Sequence, residues 1–404
     1  MRRSAIIILA CLFSSFGLLP FAYSLPWPPT ISVYSIGFNY ESGYSNDALT
    51  IKKGRGSTMP TPEWITGNRN ERFAYIKSQS SRKVRVQFYI EPSGYSNSNI
   101  SVSAEVSGRG IGYININTVY FQGSQYSTPK VMTCQGSVAG SVDIRSFSWS
   151  WYAEAVNGNP LEDPLVIGTT GDHTYYILLA APQAPMSEPW TDVLDYSCDW
   201  ASGHSNASGA AGAIVQGLFD WGLRYDIYYG APHFPVGAGY GNSNFYLTDF
   251  LQAKGTSRPC NCYDMGKAVK TFCNAIGCGT SYRYSSPFGY LNCIIPIGRE
   301  WTNNPFYPTL SSPYNVPIVG EDLAYPYRTR FANHAFGSIS DYIYDACLKV
   351  DTDSNPDAPP HSNNGNGDWA IGWIWSNYKA KVVDDNPATS TGYPSSSYNS
   401  WSVY

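Results

Sequence analysis

The sequence predicts an all-β sandwich in its first half, followed by an α+β domain in its second half. Residues 30–185 contain repeated runs of β-branched and aromatic residues, separated by Gly, Ser, Asn and Pro. Short runs at this spacing are typical of an immunoglobulin-like (Ig-like) β-sandwich. Apolar residues at helical intervals of three and four then follow in residues 191–201, 207–223 and 259–277. A length of 404 residues is enough for two or three domains.

The strand patterns of the first half are clearest in five runs, and a further pattern lies near the C-terminus. Strict alternation, which marks a half-buried strand, is best in the third and fourth runs. The five runs are residues 82–91, 100–107, 112–121, 141–152 and 174–180. The segment WAIGWIWSNYKAKVV, residues 369–383, predicts one more strand.

Changes in composition predict the domain boundaries. The segment APQAPMSEPW, residues 181–190, contains three prolines, which is typical of a linker. We therefore assign residues 25–185 to the Ig-like sandwich, 186–358 to the second domain, and 359–404 to a C-terminal extension with a strand and a tail. The part of the chain after the linker is expected to fold without the sandwich.

The first 24 residues have the three parts of a secretory signal peptide. Arg2 and Arg3 form a basic start, residues 5–19 are mostly apolar, and Ala-Tyr-Ser at 22–24 fits a cleavage site. A membrane anchor is the alternative, but the segment is short for a span and Pro20 interrupts it. We therefore expect cleavage, a secreted or extracytoplasmic location, and no stable membrane insertion.

The charge of the chain excludes one class of partner. The formal net charge is −4 at pH 7, and loss of Arg2 and Arg3 with residues 1–24 would make it −6. A chain with this acidic balance and no basic patch is not expected to bind nucleic acid. Charged residues make up only 14% of the sequence while there are 33 Tyr, so tyrosine and serine are expected to cover much of the surface.

The stretch PCNCYDMGKAVKTFCNAIG, residues 259–277, predicts a cysteine at the start of a helix. Asn261 can cap the helix with Asp264 three residues on, and Gly277 suits a left-handed C-cap. Cys262 then occupies the first helical position, where unpaired N–H groups and the helix dipole favour a thiolate nucleophile. One apolar helical face is formed by Met265, Ala268, Val269, Phe272, Ala275 and Ile276.

A second stretch supplies residues that could activate this thiol. FANHAF, residues 331–336, is followed by DACLKVD, residues 345–351. His334 is a candidate general base, and Asp351 is the carboxylate expected to orient it from a neighbouring strand. Together with Cys262, they follow one another in the order Cys, His, Asp.

These motifs resemble the core of the transglutaminase-like superfamily, whose Cys-His-Asp arrangement is papain-like. CYDMGKAVKTFCNAIG resembles the cysteine-led helix of that family. HAF…CLKVD resembles its His-Ala-aromatic strand and a partner strand that ends in Asp. The resemblance covers roughly residues 190–355 and is specific at these two motifs. It implies a transglutaminase-like fold for the second domain, a triad of Cys262, His334 and Asp351, and no metal or organic cofactor.

The resemblance also bears on the surroundings of the thiol. The family often has a small residue near the position of Gly266, which would let the His-bearing strand approach the helix. The backbone N–H of Cys262 is one candidate for binding an oxyanion. The family adds a side chain upstream of the helix, and Gln252 is the nearest amide there, although no motif supports it.

The pairing of the two predicted strands stays open in the sequence. Placing His334 directly opposite Asp351 would put Tyr342 and Ile343 in a two-residue turn, which is poor turn chemistry. A longer loop with a bulge in residues 338–344 is the favoured alternative.

The remaining cysteines have structural uses. Of nine cysteines, Cys11 would leave with the signal segment, and seven remain if Cys262 stays free, so not all can pair within the chain. Cys278 and Cys293 flank a predicted hairpin and are the best candidates for a disulfide. A metal site that includes Cys260 is weaker, because neither a second CxxC nor a nearby His completes four ligands.

The resemblance implies thiol chemistry at an amide of a protein or peptide substrate, through a thioester. Water would then give hydrolysis, as in a peptidase or amidase, and an amine would give transamidation, as in a cross-linking acyltransferase. The motifs do not separate these two outcomes. The alternative is a non-catalytic surface or matrix binding protein on the same fold, and the reactivity of Cys262 toward iodoacetamide distinguishes it from an enzyme.

Overall fold

The structure of the protein is a computed structural model. It describes residues 27–39, 41, 43, 47–80, 82–236, 243–302, 305–306, 330–352, 367–383, 394–395 and 401–404. The predicted signal segment, residues 1–24, lies outside these ranges. Within them, no helix is both long enough and apolar enough to cross a bilayer.

The described part of the first half consists of strands joined by turns, with one short 3-10 helix at Ser93–Tyr95. The strands are β1 (Thr30–Gly37), β2 (Lys52–Gly54), β3 (Ser57–Thr58), β4 (Trp64–Ile65), β5 (Arg69–Asn70), β6 (Phe73–Ile76), β7 (Arg82–Glu91), β8 (Asn99–Gly108), β9 (Tyr113–Tyr120), β10 (Lys130–Gln135), β11 (Asp143–Val156) and β12 (Asn159–Leu178). Ten of them form one sheet in the order β5-β4-β1-β7-β10-β9-β8-β11-β12-β6, while β2 pairs with β3.

Alternating burial explains why these segments are strands. In β7, every second residue from Arg82 to Ile90 is buried and the residues between are more exposed, which is the pattern of a strand with one face on a core. The core of this half is rich in aromatic side chains, among them Phe38, Phe73, Phe147, Trp149 and Tyr175. The β-rich first half is thereby confirmed. The Ig-like sandwich stays a prediction, because the hydrogen bonds join these strands into a single sheet.

The α-helices among the described residues all lie after residue 190. They are α1 (Thr191–Trp200), α2 (Ala207–Phe219), α3 (Leu247–Gln252), α4 (Cys262–Ala275) and α5 (Trp375–Val382). The strands of this half are β13 (Arg224–Tyr225), β14 (Pro235–Val236), β15 (Asn244–Phe245), β16 (Pro259–Cys260), β17 (Ser281–Ser285), β18 (Gly289–Tyr290), β19 (Ile294–Pro296), β20 (Arg330–Phe331), β21 (His334–Ile339), β22 (Tyr342–Val350) and β23 (Asp368–Ile374).

The cysteine helix α4 is the centre of the second half. It packs against α1 and α2 and against the sheet β17-β21-β22-β19, in which β23 also pairs with β22. Every residue of α4 is buried, so the predicted apolar face is only part of a helix that is covered all round. Its lysines find partners inside: Lys267 donates to the Ser243 carbonyl at 2.6 Å, and Lys270 lies 4.5 Å from the centre of the Trp401 ring.

The C-terminal extension contains the predicted strand and also a helix that was not predicted. Within residues 369–383, β23 ends at Ile374 and the helix α5 begins at Trp375. The described tail residues add to existing strands: Ser395 exchanges two backbone hydrogen bonds with Tyr284, and Val403 forms a β-bridge with Phe245.

The predicted linker and the two residues before it are bound to the end of α4. The N–H groups of Leu179 and Ala180 donate to the Ile276 carbonyl at 3.0 and 3.4 Å, and Gln183 N–H donates to Asn274 at 2.9 Å. One buried apolar cluster contains residues from both halves, including Ile51, Ala74, Leu178, Leu194 and Phe272. Independent folding of the second domain stays a prediction, and a fragment that begins after the linker would expose part of this cluster.

Candidate active site

A complete capping box holds the N-terminus of α4. Oδ1 of Asn261 accepts hydrogen bonds from the N–H groups of Tyr263 (2.9 Å) and Asp264 (3.2 Å), and the Asp264 carboxylate accepts one from Asn261 N–H (3.2 Å). The predicted cap is thereby confirmed, and Cys262 is the first helical residue.

The same carboxylate fixes a loop over this end of the helix. Asp264 also accepts hydrogen bonds from the N–H groups of His233 (2.9 Å) and Phe234 (3.1 Å), and the Asn261 amide donates to the Gly230 carbonyl at 2.8 Å. Burial raises the pKa of Asp264 to about 6, although these backbone donors act in the opposite direction. The loop of residues 230–234 therefore forms a fixed wall beside the cysteine.

The capping box leaves the backbone N–H of Cys262 open to a ligand. Tyr263 and Asp264 donate to the Asn261 side chain, and Met265 N–H donates to the Asn261 carbonyl at 3.1 Å. No acceptor among the described residues binds the Cys262 N–H. An unpaired N–H at the positive end of a helix is suited to stabilise a developing oxyanion.

A glycine brings the histidine strand against this helix. His334 is the first residue of β21, and Gly266 lies one turn after Cys262. A methyl group added to Gly266 would come within 3.2 Å of the backbone nitrogen of Phe336 and 3.0 Å of the Tyr282 ring. The predicted close approach at Gly266 is confirmed, because a larger residue would separate the helix from β21.

A buried carboxylate holds His334. Nε2 of His334 is 2.8 Å from Oδ2 of Asp345 on β22, and the two side chains are 0% and 1% exposed. Asp345 also accepts hydrogen bonds from the Tyr378 hydroxyl on α5 (2.6 Å) and from Cys347 N–H (2.7 Å). Three donors therefore satisfy a carboxylate that water does not reach, and the carboxylate orients the imidazole.

This arrangement corrects the predicted acid. Asp351 follows the last residue of β22, six residues beyond Asp345. A strand rises about 3.3 Å per residue, so the two acids are roughly 20 Å apart along the chain direction. The carboxylate that the structure brings to His334 is therefore Asp345 rather than Asp351.

The strand register explains the correction. The ladder between β21 and β22 closes on a two-residue turn, Ser340–Asp341, and not on the longer loop that was favoured. Ser340 has a φ of 52°, which is the left-handed conformation that two-residue hairpin turns need. This turn shifts the register by four residues from the one that would pair His334 with Asp351.

Electrostatics favour a charged imidazole beside the thiol. Burial lowers the pKa of His334, but the charge and hydrogen bond of Asp345, followed by those of Cys262, outweigh it and raise the pKa to about 10. At neutral pH the ring is then protonated, so it carries a positive charge beside the Cys262 side chain.

The contact between the ring and the thiol is looser than the one with the acid. The remaining ring nitrogen of His334, Nδ1, is buried without a hydrogen-bond partner of ordinary geometry among the described residues. The Cys262 thiol is nevertheless close enough to raise the pKa of the ring. Contacts of this kind are often long in the absence of substrate and tighten when it binds.

Aromatic rings exclude water from the pair. The ring centres of Phe288, Phe336 and Phe331 lie 4.8, 5.8 and 6.1 Å from that of His334. Charges attract one another more strongly in such a dry environment. The aromatic side chains therefore strengthen the interaction between His334 and Asp345.

Tyr225 is a site residue that the sequence did not reveal. Its strand β13 runs parallel to β16, which ends two residues before Cys262. The Tyr225 ring stacks on Phe331 with 6.0 Å between centres, and a methyl group on Gly230 would lie 3.9 Å from the Tyr225 hydroxyl. Burial, and then the charge of Cys262, raise the pKa of Tyr225 well above its usual value. The hydroxyl is therefore a proton donor near the start of α4, which no sequence motif marks.

Two other expectations about this site change. Gln252 is an exposed residue at the end of α3, so it is poorly placed to bind an oxyanion at a buried thiol. All eight cysteines that the structure describes are buried, and the thiol hydrogen-bonded to Cys278 is Cys273 rather than the predicted partner Cys293. Within the described ranges, no group of three or more His, Cys, Asp or Glu side chains could hold a metal ion.

Comparison with known proteins adds one likeness. No family model and no curated protein matches the chain. Among solved structures, it is similar to the crystal structure of red sea bream transglutaminase, with 10% sequence identity, a TM-score of 0.34 and coverage of 71% of this chain. The chain spans half the length of that transglutaminase chain. At these values the likeness carries no argument about function, which rests on the site itself.

Proposed function

We propose that the protein is a secreted, transglutaminase-like thiol enzyme that acts on glutamine or peptide amides. The observation that carries the proposal is the contact chain from Cys262 to His334 to Asp345. Cys262 places its thiol at the start of α4, and this thiol helps to raise the pKa of His334. On the other side of the imidazole ring, Nε2 of His334 is 2.8 Å from the buried carboxylate of Asp345. Secretion is supported by the signal-like composition of residues 1–24.

The first half of the reaction forms a thioester. The Cys262 thiolate attacks the carbonyl carbon of the amide, and the carbonyl oxygen becomes an oxyanion. His334 donates its proton to the leaving nitrogen, which departs as ammonia or an amine when the C–N bond breaks. Asp345 keeps the ring in position and stabilises its charged form throughout.

The second half releases the acyl group. Water or a primary amine gives a proton to His334 and attacks the thioester, and the Cys262 thiolate leaves. Water yields a carboxylic acid, and an amine yields a new amide. Both products use the same residues, so we propose the shared thioester chemistry and leave the acceptor to experiment.

Two donors support an oxyanion site. The Cys262 N–H has no acceptor among the described residues, and the Tyr225 hydroxyl lies beside the loop that the capping box fixes. Burial raises the pKa of Tyr225, so the hydroxyl keeps the proton that it would donate. Preorganised donors of this kind stabilise the tetrahedral intermediate more than the substrate.

Selective alkylation tests the nucleophile. We expect one equivalent of iodoacetamide to modify Cys262 in the native protein before any other thiol, because the remaining described cysteines lack both a helix start and an imidazolium. Peptide mass mapping after short exposure, from pH 5 to 10, measures this. An unreactive Cys262 would support the non-catalytic binding protein instead.

Replacing the Tyr225 hydroxyl should separate thiolate formation from acyl transfer. Tyr225→Phe keeps the ring stack on Phe331 and removes only the donor. We expect turnover of an amide substrate to fall by about 10²–10³-fold, while the rate of alkylation by iodoacetamide, which forms no oxyanion, stays within about twofold of the native rate. Equal losses in both measurements would instead assign Tyr225 a role in packing. Tyr246→Phe, on a half-exposed tyrosine at the start of α3, is the matched control.

A further inference from the structure

The end of α4 is a Schellman turn in which both contacting residues are cysteines. Gly277 has a φ of 82°, its N–H donates to the Asn274 carbonyl at 3.2 Å, and Cys278 N–H donates to the Cys273 carbonyl at 3.0 Å. These two hydrogen bonds define the motif, which brings the side chains at the positions of Cys273 and Cys278 into contact. In most proteins that contact is between apolar side chains, whereas here the two thiols are hydrogen-bonded to each other.

We propose that Cys273 and Cys278 are a disulfide site that closes the C-terminal end of the cysteine helix. Both residues are buried, but Cys278 retains 4% exposure while Cys273 has none. Cys278 is therefore the thiol that meets an oxidant first. The turn that joins them is already formed by the backbone, and it holds the two cysteines at the positions whose side chains this motif brings together.

The oxidant is a disulfide, such as oxidised glutathione or an oxidoreductase of the thiol–disulfide exchange class. The hydrogen bond to Cys273 and burial raise the pKa of Cys278, so this thiol reacts through its minor deprotonated form. The deprotonated sulfur attacks one sulfur of the oxidant, forms a mixed disulfide and releases one thiol. The Cys273 thiolate then attacks the Cys278 sulfur and releases the second thiol. The protein loses two protons and two electrons, and the oxidant gains them.

The position of this bond gives it a consequence for the whole chain. The Ile276 and Asn274 carbonyls at this end of α4 accept the linker hydrogen bonds described above. A methyl group on Gly277 would lie 2.5 Å from the Ala180 carbonyl oxygen, so the turn is in direct contact with the residue that precedes the linker. A disulfide here would hold the surface on which the first half meets the catalytic helix.

Mass mapping of the full chain tests the bond. Trypsin cleaves after Lys270 and after Arg283, so both cysteines lie on one peptide, residues 271–283. The purified protein is incubated with oxidised glutathione, denatured, alkylated with iodoacetamide and digested. We expect the peptide to lack the alkyl group, to be lighter than the reduced form by two hydrogen atoms, and to be alkylated twice only after reduction.

A thermal melt tests the consequence. Reduction should lower the melting temperature of the native chain by roughly 2–4 °C, as expected for a short closed loop in a chain of this length. The difference should vanish in the double variant Cys273→Ser, Cys278→Ser and persist in Cys198→Ser, which removes the neighbouring buried thiol of α1.

Three results would overturn the proposal. They are full alkylation of both cysteines after oxidation, a cross-link from this peptide to the one that contains Cys198, and an oxidised peptide whose reduction leaves the melting temperature unchanged. The mass measurement needs only the native chain, so it holds even if the double variant does not fold. It is also independent of whether Cys262 is a nucleophile.

Discussion

Cys262→Ser should reduce amide turnover by on the order of 10³-fold or more, because a serine hydroxyl at the same position is not ionised by an imidazolium. His334→Ala should be about as damaging, since a nucleophile and its base act as one unit. Turnover is measured on a glutamine-amide peptide library, with and without a primary amine, and mass spectrometry detects the thioester on the native enzyme only.

The stability of these variants separates chemistry from folding. The sulfur-to-oxygen exchange at Cys262 changes little volume, so the melting temperature should stay within a few degrees of the native value. Cys134→Ser, at another buried free thiol in the first half, is the matched control and should keep its turnover. If Cys262→Ser processed the native substrate at the full rate, the proposed nucleophile would be wrong.

Asp345→Asn should lower turnover by about 10²–10⁴-fold, because an amide neither stabilises the imidazolium nor fixes the same tautomer. The pH dependence should change as well. Burial lowers the pKa of His334 and Asp345 is the first of the groups that raise it, so loss of that charge should lower it. With a lower pKa, His334 would lose its proton at a lower pH. The alkaline limit of activity should therefore move down by roughly 1–3 pH units.

Asp351→Asn is the matched comparison for this prediction. Asp345 is buried within β22 and Asp351 is buried directly after it, so both substitutions replace a buried carboxyl group by an amide in the same region of the chain. The carboxylate that lies 2.8 Å from Nε2 of His334 is that of Asp345, so Asp345→Asn should shift the pH profile and Asp351→Asn should not. The profile is measured as turnover and as the rate of Cys262 alkylation from pH 5 to 11. A shift in Asp351→Asn with none in Asp345→Asn would restore the acid expected from the sequence.

Short sequence patterns correctly predicted the ends of α4 and the position of β7. Asn261, Asp264 and Gly277 mark the ends of α4, because capping side chains and a left-handed glycine act within a few residues of the helix. The run at 82–91 matches β7, since strict alternation defines one buried face. The close approach of β21 at Gly266 was expected from the family resemblance rather than from a capping or periodicity signal.

Two departures came from segments whose pattern allows more than one structure. Most residues of Tyr342–Val350 are apolar, so the sequence pattern does not fix the register of this strand against β21. The register is set by the turn at Ser340–Asp341. That turn determines whether Asp345 or Asp351 lies near His334. Residues 369–383 contain aromatic and β-branched residues that also fit a short helix. The position of Tyr378 on α5 was missed for that reason.

The sequence by itself determined that the first half is β-rich and that Cys262 begins a capped helix. These features follow from strand-forming composition, helical periodicity and capping, which act over short distances along the chain. The strand that carries His334 was expected from the family resemblance of HAF…CLKVD. Only the tertiary structure decided that Asp345 holds His334, that Tyr225 lies beside the helix start, and that Cys278 meets Cys273. The physical reason is that each of these contacts depends on strand register or on the path of a turn, and a shift of one residue moves a side chain to the opposite face of its strand.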